Sequence, residues 1–182
     1  MWLDIILFTA ISCALEAIIY FAAKRFESAT FIVNFYLTLS LLLIYRWNLF
    51  GWIGSLLLTL GFCLINGASW QSYIIYLGGT FALGLILVYF KKFGKHQIVK
   101  TVGGTLLYGI AGFSIVIITR SLIAFAFYQS ILDNFLTQAA MEGLNLAIGI
   151  IILLICRKQN GLFEDMNDYL ARIAEERKTP HA

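Results

Sequence analysis

The sequence predicts an all-α membrane protein with six transmembrane helices and both termini in the cytoplasm. Three observations carry that expectation. The chain of 182 residues is 60% hydrophobic and only 13% charged, with a mean hydropathy of +0.85, whereas soluble domains carry about 25% charged residues. Six apolar runs follow one another almost end to end, and a spanning helix needs about 20 mostly apolar residues. The single proline, Pro180, lies in the tail, so no span carries a proline kink.

The runs cover residues 2–23, 31–45, 49–65, 71–90, 101–127 and 135–155. Lys24 and Arg25 close the first and Arg46 the second, which is short. Asn66-Gly67 is a turn signal after the third. The fourth runs into Lys91, Lys92, Lys95 and Lys100, and Arg157 and Lys158 close the sixth. With six spans these basic sites share one side with Arg46, and the positive-inside rule makes that side cytoplasmic. Lys24 and Arg25 fall on the other side, beside Glu27. Residues 1–158 then form the integral membrane domain. Residues 159–182 form a polar cytoplasmic tail, with Phe163, Met166, Tyr169, Leu170 and Ile173 on one helical face. The first run has no basic leader and no cleavage site, so it is read as a helix rather than a signal peptide.

Function is carried by charges inside the runs. Glu16, Arg120 and Glu142 stand alone in apolar sequence, and ionised groups in a bilayer are tolerated when they are paired or line a cavity. Glu16 lies seven residues before Ala23, Arg120 seven before Phe127, and Glu142 seven after Phe135. At 1.5 Å per residue each sits about 10 Å below the outer surface. Asn34, Gln138 and Tyr76 share that outer third, and Trp70 lies in an outer connector. Together these residues are the candidate solute-binding set, with Arg120 the natural partner of an anionic ligand. The competing reading is a structural ion pair that ties helices together.

Ala10, Ala14 and Ala17 fall at about 0°, 40° and −20° on a helical wheel, with Glu16 away at about 240°. Such a smooth stripe suits close helix contact, within the chain or with a partner. Glycines in the fourth and fifth runs allow the same. His96 sits in a basic loop and reads as solvated. Trp2, Trp47, Trp52 and Trp70 lie near run ends and read as interface anchors.

Cys13, Cys63 and Cys156 show no metal or disulfide spacing. No P-loop, HExxH, GxSxG or Cys/His constellation occurs, so neither an enzyme nor a bound cofactor or metal is expected. The formal charge of +3 is explained by loops near anionic lipid and calls for no nucleic-acid partner.

Ala10-Ile-Ser-Cys-Ala14, the run Leu37-Thr-Leu-Ser-Leu-Leu-Leu-Ile-Tyr-Arg46-Trp47-Asn48-Leu-Phe-Gly51-Trp-Ile-Gly54 and the spacing of the spans give a resemblance over residues 5–156. The chain resembles the substrate-binding S component of an energy-coupling factor (ECF) transporter. That resemblance implies high-affinity capture of a vitamin or related micronutrient at the outer face of a bacterial cell membrane. It implies a coupling transmembrane subunit, docked on Ala10 and Ala14, and two cytoplasmic ATPases. No motif for riboflavin, thiamine, biotin or folate is present, and the tail belongs to no general pattern of the family. The alternatives are a non-transporting scaffold similar to the cell-shape protein MreD, and a small secondary transporter with Glu16 and Glu142 as proton sites.

Overall fold

The structure, a computed structural model, describes residues 2–25, 34–128, 130–159 and 166–178. Among the described residues it is helical throughout: α1 (Trp2–Arg25), α2 (Tyr36–Trp47), α3 (Leu49–Ile65), α4 (Trp70–Ala82), α5 (Leu85–Phe93), α6 (Lys95–Lys100), α7 (Val102–Tyr128), α8 (Ile131–Lys158) and α9 (Met166–Lys178). Four stretches are long and apolar enough to cross a membrane: α1, Trp70–Lys92, α7 and α8.

The second and third expected runs form shorter helices than these four. The third run forms a helix of 17 residues, and the second forms one of only 12. At 1.5 Å per residue α2 is about 18 Å long, well short of a hydrocarbon core of about 30 Å. Its environment explains its apolarity: ten of its 12 residues are buried, Tyr36 and Trp47 among them. Hydropathy reads such a core helix and a lipid-facing one alike. The part of the expected second run before Asn34 lies outside the described residues.

α2 and α3 meet at one residue, Asn48, whose φ is +51°. With ψ at −123° this lies outside the left-handed helical region and is a conformation that suits glycine best. The two helices fold back on each other, so Tyr36 stacks on Phe62 at 4.3 Å near one end. At the other end Gly51 lies against the α2 backbone at the Leu43 carbonyl, where any Cβ would overlap it. α1 runs alongside, with Trp2 against Phe50 at 4.9 Å and Phe8 against Trp47 at 5.6 Å. Trp47 is therefore a core residue and not an interface anchor.

The expected fourth run is interrupted. Leu83, Gly84, Ile86 and Leu87 donate their N–H groups to carbonyls three residues back, a 3₁₀ tightening that separates α4 from α5. Trp52 Nε1 donates to the Phe81 carbonyl at 3.1 Å in the same turn. α6 forms where a basic loop was expected, and Thr105 Oγ1 ties it to α7 by donating to the Ile98 carbonyl at 2.9 Å.

Ring contacts fix the remaining directions. Trp70 meets Phe127 at one end, and Phe90 stacks on Tyr108 at 5.7 Å at the other. Arg157 Nη2 donates to the Lys100 carbonyl at 3.1 Å, bringing the ends of α6 and α8 together. Arg46, Lys91, Lys92, Lys95, Lys100, Arg157 and Lys158 thus gather at one end of the bundle, against Lys24 and Arg25 at the other. In the tail, α9 packs Met166 against the core.

The α2–α3 corner yields a prediction. Gly51→Ala should destabilise the protein by about 1–3 kcal/mol, because the clash is with backbone that has no rotamer to yield. Asn48→Gly should be tolerated and Asn48→Val should not. Unfolding titrations of the purified variants in detergent check both.

Candidate functional site

Three long helices and the buried hairpin converge toward the end opposite Arg46, Lys95, Lys100 and Arg157. α7 presents Arg120, which is fully buried, and α8 presents Glu142, 3% exposed. They form an ion pair, Arg120 Nη1 to Glu142 Oε1, at 2.7 Å. Arg120 Nη2 donates to the Tyr36 hydroxyl, which in turn donates to Glu142 Oε1 at 3.4 Å. The guanidinium carbon lies 4.2 Å from the centroid of the Tyr76 ring and 5.3 Å from that of Tyr36. These are cation–π contacts that add to the ion pair when water is excluded.

The carboxylate is held from a second side. Asn145, one turn along α8, donates from Nδ2 to Glu142 Oε2 at 3.1 Å. Asn145 Oδ1 accepts from the backbone N–H of Asn34 at 3.1 Å. The next backbone N–H, that of Phe35, donates to Glu16 Oε1 at 2.5 Å. The entry to α2 therefore supplies two backbone N–H groups, of which that of the N-cap Phe35 is one a helix start leaves unmatched, and α1 and α8 consume them. On α1 the buried positions are Ile5, Thr9, Ser12 and Glu16, so this helix turns its polar face inward and its aliphatic face outward.

Gly79 explains how Arg120 fits. A Cβ on Gly79 would lie 2.7 Å from Arg120 Cγ and 2.9 Å from Nε. Gly79 and Tyr76, one turn apart on α4, form a slot that the arginine fills.

Of the residues singled out in the sequence, Arg120, Glu142, Tyr76, Asn34 and Glu16 belong to one connected cluster. Gln138 stands one turn before Glu142, half-buried, with no hydrogen bond to the cluster among the described residues. Trp70 is 64% exposed and packs edge-on against Phe127 at 5.4 Å, apart from the cluster. In this structure Arg120 is enclosed by Glu142, Tyr36, Tyr76 and Gly79. An apolar groove of about 290 Å³ runs between α7 and α8, lined by Ile118, Ser121, Leu122, Ile131, Leu132 and Phe135, and it holds no converging polar groups beyond Ser121.

Tyr36 and Asn145 were missed in the sequence. Asn145 had a signal, since it lies three residues after Glu142 on the same helix face. Tyr36 had none, because it acts through contacts across the fold, and Gly79 was read only among the glycines that allow close helix approach. Ala10 and Ala14 are exposed and Ala17 is half-buried, so the alanine stripe is not consumed by packing within the chain. Compared with known protein families, with curated proteins and with solved structures, the chain shows no match.

Two substitutions test the cluster. Gly79→Ala should destabilise by about 1–3 kcal/mol by pushing Arg120 from its slot. Tyr36→Phe removes one hydroxyl that both accepts from Arg120 and donates to Glu142, and should cost about 1.5–3 kcal/mol. Equal unfolding midpoints for wild type and Gly79→Ala would show that the slot does not hold the arginine.

Proposed function

We propose that this chain is the solute-capturing membrane subunit of an uptake system, the role implied by its resemblance to the S component of ECF transporters. The carrying observation is the buried polar cluster of Arg120, Glu142, Glu16, Tyr36 and Asn145, away from the end of the bundle where Arg46, Lys91, Lys92, Lys95, Lys100, Arg157 and Lys158 gather. Ionisable groups at such depth are costly and typical of solute and ion sites. In this reading the basic end is cytoplasmic, both termini lie there, and the cluster belongs to the outer half of a multi-pass protein of the bacterial cell membrane. The solute is a vitamin or related micronutrient.

The exposed face of α1 supports the partner side of the reading. Ala10 and Ala14 offer a smooth surface among Leu7, Ile11 and Leu15, all exposed, where a partner helix can approach closely. The occupant is the coupling transmembrane subunit, which links the chain to two cytoplasmic ATPases. The chain itself has no phosphate-cradling loop. One observation favours a second reading, a small secondary transporter. The cluster holds two carboxylates against one guanidinium, an excess suited to a coupling proton or ion.

Purification in mild detergent should co-isolate a coupling subunit and ATPases. Ala14→Trp should abolish that association and leave solute binding intact. Purified alone in liposomes, the chain should bind solute without accumulating it; ATP-dependent accumulation should appear only with the partners added. Robust uptake by the single chain on an ion gradient would overturn the proposal in favour of the secondary transporter.

A further inference from the structure

The polar cluster holds one more carboxyl group than it has guanidinium groups. Glu16 and Glu142 contribute two carboxylates and Arg120 one guanidinium, and all three are buried. Arg120 is committed to Glu142, to the Tyr36 hydroxyl and to the Tyr76 ring. Glu16 has no cationic partner among the described residues. Among the described residues its hydrogen bond is from the Phe35 N–H. The neighbouring residue has an unmet need of the same sign. Asn34 Oδ1 is buried and accepts no hydrogen bond, while the Asn34 backbone N–H is used by Asn145.

A carboxylate without a counter-ion and an orphan amide oxygen thus share the entry to α2, and both call for a positively charged donor. The opposite need, the unpartnered Nε of Arg120, opens onto no usable space, since even a Cβ on Gly79 would come within 2.9 Å of it.

We propose that the occupant of this site is a solute bearing a protonated amine, whose charge answers Glu16 and whose N–H groups reach Asn34 Oδ1. This rests on the solute-binding reading above and shifts it from the anionic ligand that Arg120 alone would favour to a cationic one. An alkylammonium brings up to three donors on one charge, which matches a carboxylate and an amide oxygen. A divalent metal is a poorer match, because calcium takes about 6–8 oxygen ligands. Among the described residues no group of three His, Cys, Asp or Glu is gathered.

The test uses the full chain in detergent, with melting followed in methylammonium, tetramethylammonium and sodium chlorides at matched ionic strength. Methylammonium should raise the melting temperature by about 2–4 °C over the other two, since it alone combines a positive charge with N–H donors. Glu16→Gln should remove that gain, and Asn34→Ala, which keeps its backbone N–H, should reduce it. Equal melting in all three salts, or a gain that persists in Glu16→Gln, overturns the inference. Mass spectrometry of the compound carried from cells separates the two levels. A compound with a basic nitrogen supports both. An anionic compound leaves solute binding standing and removes the amine. No compound together with equal melting removes both.

Discussion

The Arg120–Glu142 ion pair is the constraint around which the rest of the bundle is arranged. Each charge alone in an apolar interior is expensive, and their attraction offsets the lost hydration only when the remaining donors and acceptors are matched. Most of that matching is visible. Tyr36 takes one guanidinium nitrogen, Asn145 takes the second carboxylate oxygen, and Tyr76 covers the guanidinium face. The pair therefore recruits α2, α4, α7 and α8 to one point and fixes their relative heights.

This arrangement gives α2 its character. This helix of 12 residues is largely buried in the bundle, and its first turn delivers Tyr36 to Arg120 and its entry N–H groups to Asn145 and Glu16. The other end of α2 is held by apolar and aromatic contacts, where Tyr45, Phe90 and Tyr108 meet and the Tyr108 hydroxyl donates to the Leu41 carbonyl at 2.7 Å. One end of the bundle is thus organised by charge and the other by ring packing. The inward polar face of α1 follows the same logic, since Thr9, Ser12 and Glu16 line the interior while aliphatic side chains face out.

The helical class, the long apolar segments and the charged residues were legible in the sequence, because hydropathy and isolated ionisable residues are local signals. The fate of the second run was not. Tyr36 to Trp47 is apolar because it is buried in protein, and composition carries no sign of which apolar medium surrounds a helix. The 3₁₀ turn at Leu83 and Gly84 was hidden for a related reason: it lies in unbroken apolar sequence and is secured from a distance by Trp52. Counting residues from predicted helix ends placed Arg120 and Glu142 at a similar depth, and in the fold they touch. Enclosure of Arg120 could not be read that way, since it depends on Gly79 lacking a side chain and Tyr36 arriving from a different helix.

The central claim is that one buried pair couples α7 to α8 and holds the surrounding network. A double-mutant cycle with Arg120→Met and Glu142→Gln, read from unfolding free energies of the detergent-solubilised protein, measures it directly. Each single change should cost about 3–5 kcal/mol by stranding the other charge. The double change should cost far less than the sum, with a coupling of about 2–3 kcal/mol. Additivity within about 0.5 kcal/mol would contradict the account, because it would mean that the two side chains meet without either depending on the other.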